Sequence, residues 1–479
     1  MITRGIKDFA VAAMVWITFS WSAPAQTRTA AQTFEQNIAV RQDSGFNAAP
    51  TNAGWRDVKS FGAVGDGVVM DTAAIQSAIN ACPAGGFVWL HDGTFLSGTL
   101  RLKSNLTFFI APTATLLGSG STNDYPILNP PTSNSQKHNC DMALVYAEGC
   151  TNVSLDGGGI INGNGRKHFR SPGGARKVLE AFRPISIWTV LCDQVGIRNI
   201  KVVDAGMWSV VNMQSDHLTI TNVTIDDHGL GGNRDGFDVV DCWHTVIANC
   251  TIDSGDDAIC IKSGHPRGVN DLLVQHCTVT RSQSNGFKFG TASRGPITNV
   301  TFEDCRLHNV SHSAMALESV DGSAISDVTF QRISFSGCQN AIFIALGQRH
   351  GTPAGSVSGI TFRDITGSGM QDTRGCPISG CVVNGVSHDV ENIRFDNVTI
   401  LFQGGTGTIP ADPPEYAGQY PENTMWGNLP AFGYYLRHAS NVVFTSCSTR
   451  FARADARPWL ATNDVSNLRI SGPTSSEQP

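Results

Sequence analysis

Charge is scarce in this chain. Only 15% of its 479 residues are Asp, Glu, Lys or Arg, and the formal net charge is −6. That balance fits neither a nucleic-acid-binding surface nor bulk capture of a polyanion, so any acidic ligand must be held by a few local cations. Long hydrophobic runs are missing beyond the N-terminus. The one such run, Phe9 to Trp21, follows Arg4 and Lys7 and precedes Ala23-Pro24-Ala25. It reads as a secretory signal peptide over residues 1–25, too short to span a membrane stably. The mature chain is expected to be soluble, secreted to the periplasm or the exterior, monomeric, and without membrane or nucleic-acid partners. Cys and His never group at zinc-like spacing, so neither a metal site nor another cofactor is expected.

Cysteine itself is not scarce, with thirteen in the chain. Cys250, Cys277 and Cys305 recur at one place in successive repeats, which predicts a buried thiol ladder, since free cysteine packs as a small hydrophobe. Cys376 and Cys381, in a loop with Gly and Pro, are expected to be disulfide-bonded, the pairing being left open.

The repeat itself is an eight-residue pattern: apolar, any, apolar, any, polar, apolar, any, apolar. Its central polar positions are Asn199, Asn222, Asn249, His276, Asp304, Arg332, Asp364 and Asn397. Their separations of roughly 23 to 33 residues are in the range of solenoid repeats. Alternation rich in Val, Ile, Thr and Phe marks strands, and no long helical periodicity interrupts them. The expected fold is all-β, a right-handed parallel β-helix with in-register coils. An amphipathic helix should cover its N-terminal end, with Asp71 as N-cap and Ile75, Ala78, Ile79 and Cys82 on one face. Residues 26–54 read as a linker or N-terminal arm, 55–473 as a single β-helix catalytic domain and 474–479 as a tail.

Two polar segments interrupt the repeat. Gly163 to Pro184 carries Arg166, Lys167, His168, Arg170, Arg176 and Lys177, either a solvated loop or a basic wall beside a cleft. Gln403 to Phe432 contains five prolines together with Tyr416, Tyr420 and Trp426, and reads as an ordered lid or cleft wall.

The stretch from Gly232 to Gly264 carries the chemistry. It contains Asn233-Arg234-Asp235 and, 21 residues after Asp235, Asp256 within Gly255-Asp256-Asp257. That interval is about one coil, so Asp235, Asp256 and Asp257 become spatial neighbours. Hydrolysis of a sugar acetal needs one carboxyl group to protonate the leaving oxygen and another to deprotonate water. Three crowded carboxyl groups cannot all ionise cheaply, which keeps one protonated. Asn233 and Asp238 are candidates to position Asp235 or bind sugar hydroxyls. Lys262, Lys288, Arg294 and His265 are candidate contacts to an acidic sugar, with Lys262 and Lys288 expected to stack on one face.

These motifs resemble those of the polygalacturonase-type glycoside hydrolases of family 28, over roughly residues 55 to 470. Asn233-Arg234-Asp235 is similar to the family's Asn-Thr-Asp, and Gly255-Asp256-Asp257 to its Gly-Asp-Asp, with Lys262 in the following strand. The resemblance implies an inverting hydrolase of pectic, galacturonate-containing polysaccharide, with Asp256 as general acid and Asp235 and Asp257 handling the attacking water. Two features depart from it. Gln283-Ser284-Asn285 stands where Gly-His-Gly is expected, and Ala316-Leu317-Glu318 where Arg-Ile-Lys is expected. Lys288 is therefore expected to contact a galacturonate carboxylate, Asn285 to line the site, and Glu318 to face a neutral sugar or to pair with Lys288. A calcium-dependent β-helical lyase and a non-catalytic glycan-binding β-helix are the alternative classes.

Overall fold

A corner residue in left-handed conformation recurs once per coil, and it explains the repeat. All eight central polar positions have φ between 53° and 57°. That region disfavours most side chains and tolerates Asn and Asp best, which is why the pattern is polar there. The structure is a computed structural model and describes residues 54–132, 141–168, 183–227, 232–351 and 353–472. The proposed signal peptide, nearly all of the arm, the tail, and Arg170, Arg176 and Lys177 lie outside the described residues.

The architecture is a parallel β-helix. Each central coil contributes three short strands, such as Trp243–Ala248, Thr251–Ser254 and Ile259–Lys262, and each strand pairs in parallel with its counterpart one coil later. Gln275, Glu303, Gln331 and Arg363 accept backbone hydrogen bonds from Asn249, His276, Asp304 and Arg332 respectively. The expected register of these four corners on consecutive coils is thus present.

Inside the solenoid, like stacks on like. Phe302, Phe330, Phe362, Phe395 and Phe444 form a continuous ring stack with centroids 4.5–5.2 Å apart. Cys250, Cys277 and Cys305 are buried free thiols, and the Cys277 amide donates to Cys305 Sγ at 3.4 Å. Cys376 and Cys381 are also free and buried, contrary to the expected bond. Cys376 Sγ points inward to Asn340 Oδ1, whereas Cys381 begins the separate hairpin Cys381–Val383/Val386–His388.

Helix α1, Thr72–Ala81, buries Ile75, Ala78 and Ile79 in the core, and Cys82 follows them. Asp71 does not cap it. Its carboxylate accepts from Val64 and Gly65 N–H instead, because it is turned to the preceding loop.

One of the three sheets positions the candidate site. Its relevant strands are β1 (Val210–Met213), β2 (Phe237–Val240), β3 (Ile259–Lys262), β4 (Phe287–Phe289), β5 (Ser313–Ser319) and β6 (Asn340–Leu346). The period-2 rule sends Phe237, Ile259, Phe287 and Met315 inward to the core, and sends the in-register set Val211, Asp238, Cys260, Lys288, Ala316 and Phe343 outward.

Candidate active site

The carboxyl groups meet at the entrance to β2 and β3, on the turns leading into them. Gly236 and Gly286 allow this close stacking. A Cβ on Gly236 would lie 2.5 Å from Ala258 O, and one on Gly286 2.3 Å from Leu307 Cδ2. The Asn233 amide donates to Asp256 Oδ2 at 2.9 Å, so this residue positions Asp256 rather than Asp235. Arg183 holds Asn233 in turn, through Asn233 Oδ1 at 3.2 Å and the Gly232 carbonyl. Arg234 turns away from the carboxyl cluster, bonding Ala205 O at 2.6 Å and Asp204 at 2.5 Å.

Asp257 is the most strongly held carboxylate. Asn285 donates to its Oδ1 through both backbone N–H and side-chain Nδ2, each at 3.0 Å, and Lys288 Nζ lies 3.1 Å from Oδ2. Burial pushes its pKa up, but the Lys288 and Lys262 ammonium groups and the Asn285 bonds outweigh that and hold it down to about 2. Its neighbour Asp256 is displaced oppositely. Burial and the Asp257 charge raise its pKa, and it keeps solvent access where Asp235 and Asp257 are each only 3% exposed.

Asp235 and Asp238 share one cation. Lys262 Nζ is 3.6 Å from Asp235 Oδ2, 3.2 Å from Asp238 Oδ1 and 2.7 Å from Cys260 Sγ. Burial and the Asp238 charge push Asp235 well up, and burial lifts Asp238 to about 6. Asp235 Oδ1 is buried with no hydrogen-bond partner among the described residues. Asp235, Asp238 and Cys260 are also the only grouping of metal-ligating atoms among the described residues. Its centre is taken by the Lys262 ammonium.

Lys288 is spent within the protein. Besides Asp257 it lies 3.6 Å from Glu318 and 3.4 Å from Tyr420 OH, and it is 5% exposed. The expected free contact to a sugar carboxylate is therefore not what the geometry offers. Glu318 takes the other expected role, that of Lys288 partner, and burial pushes its pKa up to about 8 against the opposing Lys288 charge. Lys262 and Lys288 do share the outer face, but Lys288 is in register with Cys260, two residues away from the expected stack. His265 and Arg294 lie in the loops after β3 and β4, and the Arg294 amide donates to Ser263 O. Neither forms an ion pair with the site carboxylates among the described residues.

Sequence reasoning missed three groups. Trp208 presents its ring 5.3 Å from Lys262 Nζ. His312, one coil beyond Ser284, pairs with Glu422 at 2.8 Å, and this contact outweighs burial to raise its pKa. Arg349 forms a two-pronged ion pair with Asp321 and lies under the Tyr420 ring at 5.0 Å. Only the loop tyrosine had a signal, the aromatic content of residues 403–432. That segment is ordered as anticipated, with Trp426 and Leu429 packed on the outer face of the sheet.

Residues 81–412, more than half of the chain, match the sequence profile described as glycosyl hydrolases family 28. A "Probable polygalacturonase" of Vitis vinifera is 24% identical over 421 residues, covering 81% of this chain and 85% of that protein. An "Endo-polygalacturonase" of Pectobacterium parmentieri is 25% identical, covering 62% of this chain and 77% of its own. Among solved structures, an exopolygalacturonase from Thermotoga maritima superposes with a TM-score of 0.64 at 20% identity, over 86% of this chain and 96% of that one. The mannuronan C-5 epimerase A-module of Azotobacter vinelandii reaches 0.55 at 15% identity over 88% and 100%. Likeness at that level shows the shared solenoid alone, which hosts different chemistries.

Proposed function

The chain belongs to glycosyl hydrolases family 28, and on that premise we propose that it hydrolyses galacturonate-containing pectic polysaccharide, with Asp256 as general acid and Asp257 as general base. The observation that carries the assignment is the opposite displacement of these adjacent carboxyl groups. Asp256 is held toward its protonated form and is half-buried, and Asp257 is pinned ionised. Water held against Asp257 and Asp235 Oδ1 attacks the anomeric carbon, and the bond to the glycosidic oxygen breaks as Asp256 delivers its proton there. Asp257 accepts the proton from water, and the anomeric centre inverts. Solvent exchange then restores the proton to Asp256.

Asp235 orients the water and does not take its proton, because its own pKa is pushed well up. Asn285, Lys288 and Asn233 position the two working carboxyl groups. A wall polymer as substrate agrees with export by the segment Phe9 to Trp21.

The lyase alternative is less well supported. A lysine base would have to be neutral, and against the lowering effect of burial both site lysines are held cationic, Lys262 by Cys260 and the neighbouring aspartates and Lys288 by Asp257 and Glu318, their pKa raised well above the ordinary value. The deciding experiment is incubation with homogalacturonan, rhamnogalacturonan and a neutral glycan. New reducing ends on a pectic polymer, without ultraviolet-absorbing double bonds and undiminished by chelator, support the reading. Unsaturated products, or no cleavage of any pectic polymer, overturn it.

A further inference from the structure

Lys262 and Lys288 are occupied by carboxylates of the protein itself and are only 6% and 5% exposed, so neither is available to an acidic sugar. His312 is placed to take that role. Its amide donates to Ser284 O at 2.9 Å, and Asn285 Oδ1, on the residue that holds Asp257, accepts from Ser313 N–H at 3.1 Å. The imidazole thus enters the site at the start of β5, one coil beyond Asn285 and two beyond Asp257. Two inter-strand steps are about 9.6 Å, so it meets a sugar beside the one under attack rather than the reacting carbon. Four charged groups act on the ring: Glu422 from the 403–432 loop, Asp257 from the turn before β3, Lys288 from β4 and Glu318 from β5.

The two ring nitrogens differ. Nδ1 is buried and lies 2.8 Å from Glu422 Oε2. Nε2 has no hydrogen-bond partner among the described residues, and the side chain as a whole is 29% exposed. A carboxylate at Nδ1 keeps a proton there in both charge states, so the charge of the imidazole is expressed at Nε2. In the cation Nε2–H donates; in the neutral ring Nε2 is a bare acceptor and repels a carboxylate. Burial disfavours the cation, but the Glu422 contact and charge, with the Asp257 charge, outweigh it and raise the pKa above its ordinary value. An accessible charged donor of this kind is what a sugar carboxylate needs.

We propose that His312 holds a galacturonate carboxylate of the substrate through Nε2–H, and that it makes the enzyme select charged over esterified sugar units. This rests on the pectic-hydrolase reading above. The test measures initial rates of the full-length enzyme from about pH 5 to 8 on an oligosaccharide of whichever pectic polymer it cleaves. The same oligosaccharide with its carboxyl groups methyl-esterified is added as competitor. KM for the charged substrate should rise about ten- to a hundredfold as pH passes the His312 pKa, the range for one hydrogen bond to a charged group. The inhibition constant of the ester should stay level. His312→Gln should raise KM for the charged substrate at pH 5 by a similar factor and remove its pH dependence, with kcat little changed. Glu422→Gln should keep the low KM at pH 5 and move its rise to lower pH, because the contact that raises the imidazole pKa is gone. A wild-type KM that does not change with pH overturns the inference, as does a His312→Gln variant that weakens acid and ester equally; cleavage of the pectic polymer then leaves the hydrolase reading intact. Should His312→Gln not fold, an unshifted KM profile in Glu422→Gln overturns the inference instead. Failure to release reducing ends from any pectic polymer overturns the hydrolase reading and this inference with it.

Discussion

The Lys288 ammonium lies 3.1 Å from the Asp257 carboxylate, and the two residues come from different coils. Asp257 precedes β3, and Lys288 extends outward from β4, in register with Cys260. The proposed general base thus depends for its charge on the next turn of the solenoid. This relationship, more than the aspartates by themselves, decides how substitutions should behave.

Lys288→Met should cost activity on charged and uncharged substrates alike, because it removes the charge that keeps Asp257 ionised. The acidic limb of the kcat/KM profile should move to higher pH, every tenfold gain in the proton affinity of Asp257 corresponding to about 1.4 kcal/mol. A loss confined to charged substrates, with an unmoved acidic limb, would instead mean that Lys288 contacts the sugar carboxylate.

Asp256→Asn should lower kcat by at least about a thousandfold with the fold retained, general acid help being worth roughly 10² to 10⁴. In the wild type, the rate should fall as pH rises through the raised pKa of Asp256, since the donor must carry its proton. Substrates with a good leaving group need little acid assistance, so the loss there should be much smaller. Equal losses on activated and natural substrates would remove Asp256 from the role of acid.

Stability should fall as pH rises from about 5 to 8. Unfolded Glu318 titrates near its ordinary value, about 4.3, whereas burial pushes it up to about 8 in the fold. Between those values the folded protein holds a proton that the unfolded chain has lost, so raising the pH favours unfolding. Asp257 works in the other direction. Its folded pKa is about 2, so its contribution is complete above the unfolded value of about 3.9 and is lost as pH falls through 2. Melting temperatures of wild type and Glu318→Gln across this range are the measurement. The variant should show a flatter decline above pH 5, and an identical slope would discard the buried, proton-holding Glu318.

Cys376 and Cys381 should both react with an alkylating reagent on unfolding without any reductant. Dithiothreitol should leave the melting temperature unchanged. A reductant-dependent Tm would restore the bond between them.

Phe330→Ala should destabilise the fold by about 3–5 kcal/mol, the usual cost of emptying a buried aromatic site. Phe330 is fully buried between Phe302 and Phe362, with ring centroids 5.2 Å away on each side. Denaturant unfolding with an unchanged midpoint would show that the stack contributes little.

The coil was legible in the sequence because its determinants are local. An outward-turning corner needs φ near +55°, which selects Asn and Asp, and a strand with one face in the core needs alternation. Both recur at fixed spacing, so the eight corners from Asn199 to Asn397 could be read directly and fall in register. The one-coil spacing of Asp235 and Asp256 placed the carboxyl groups together for the same reason. What tertiary structure decided was which groups are spent on one another. A sequence shows that Lys288 is cationic, but not that Asp257 and Glu318 occupy its ammonium. It shows an aromatic loop, but not that Tyr420 comes to Lys288 across 132 residues. It suggested from the Gly/Pro loop that Cys376 and Cys381 are bonded, where the pleat sends Cys376 into the core as a free thiol. Burial, and with it the opposed proton affinities of Asp256 and Asp257, arises from residues far apart in sequence, and only the stacked coils bring those together.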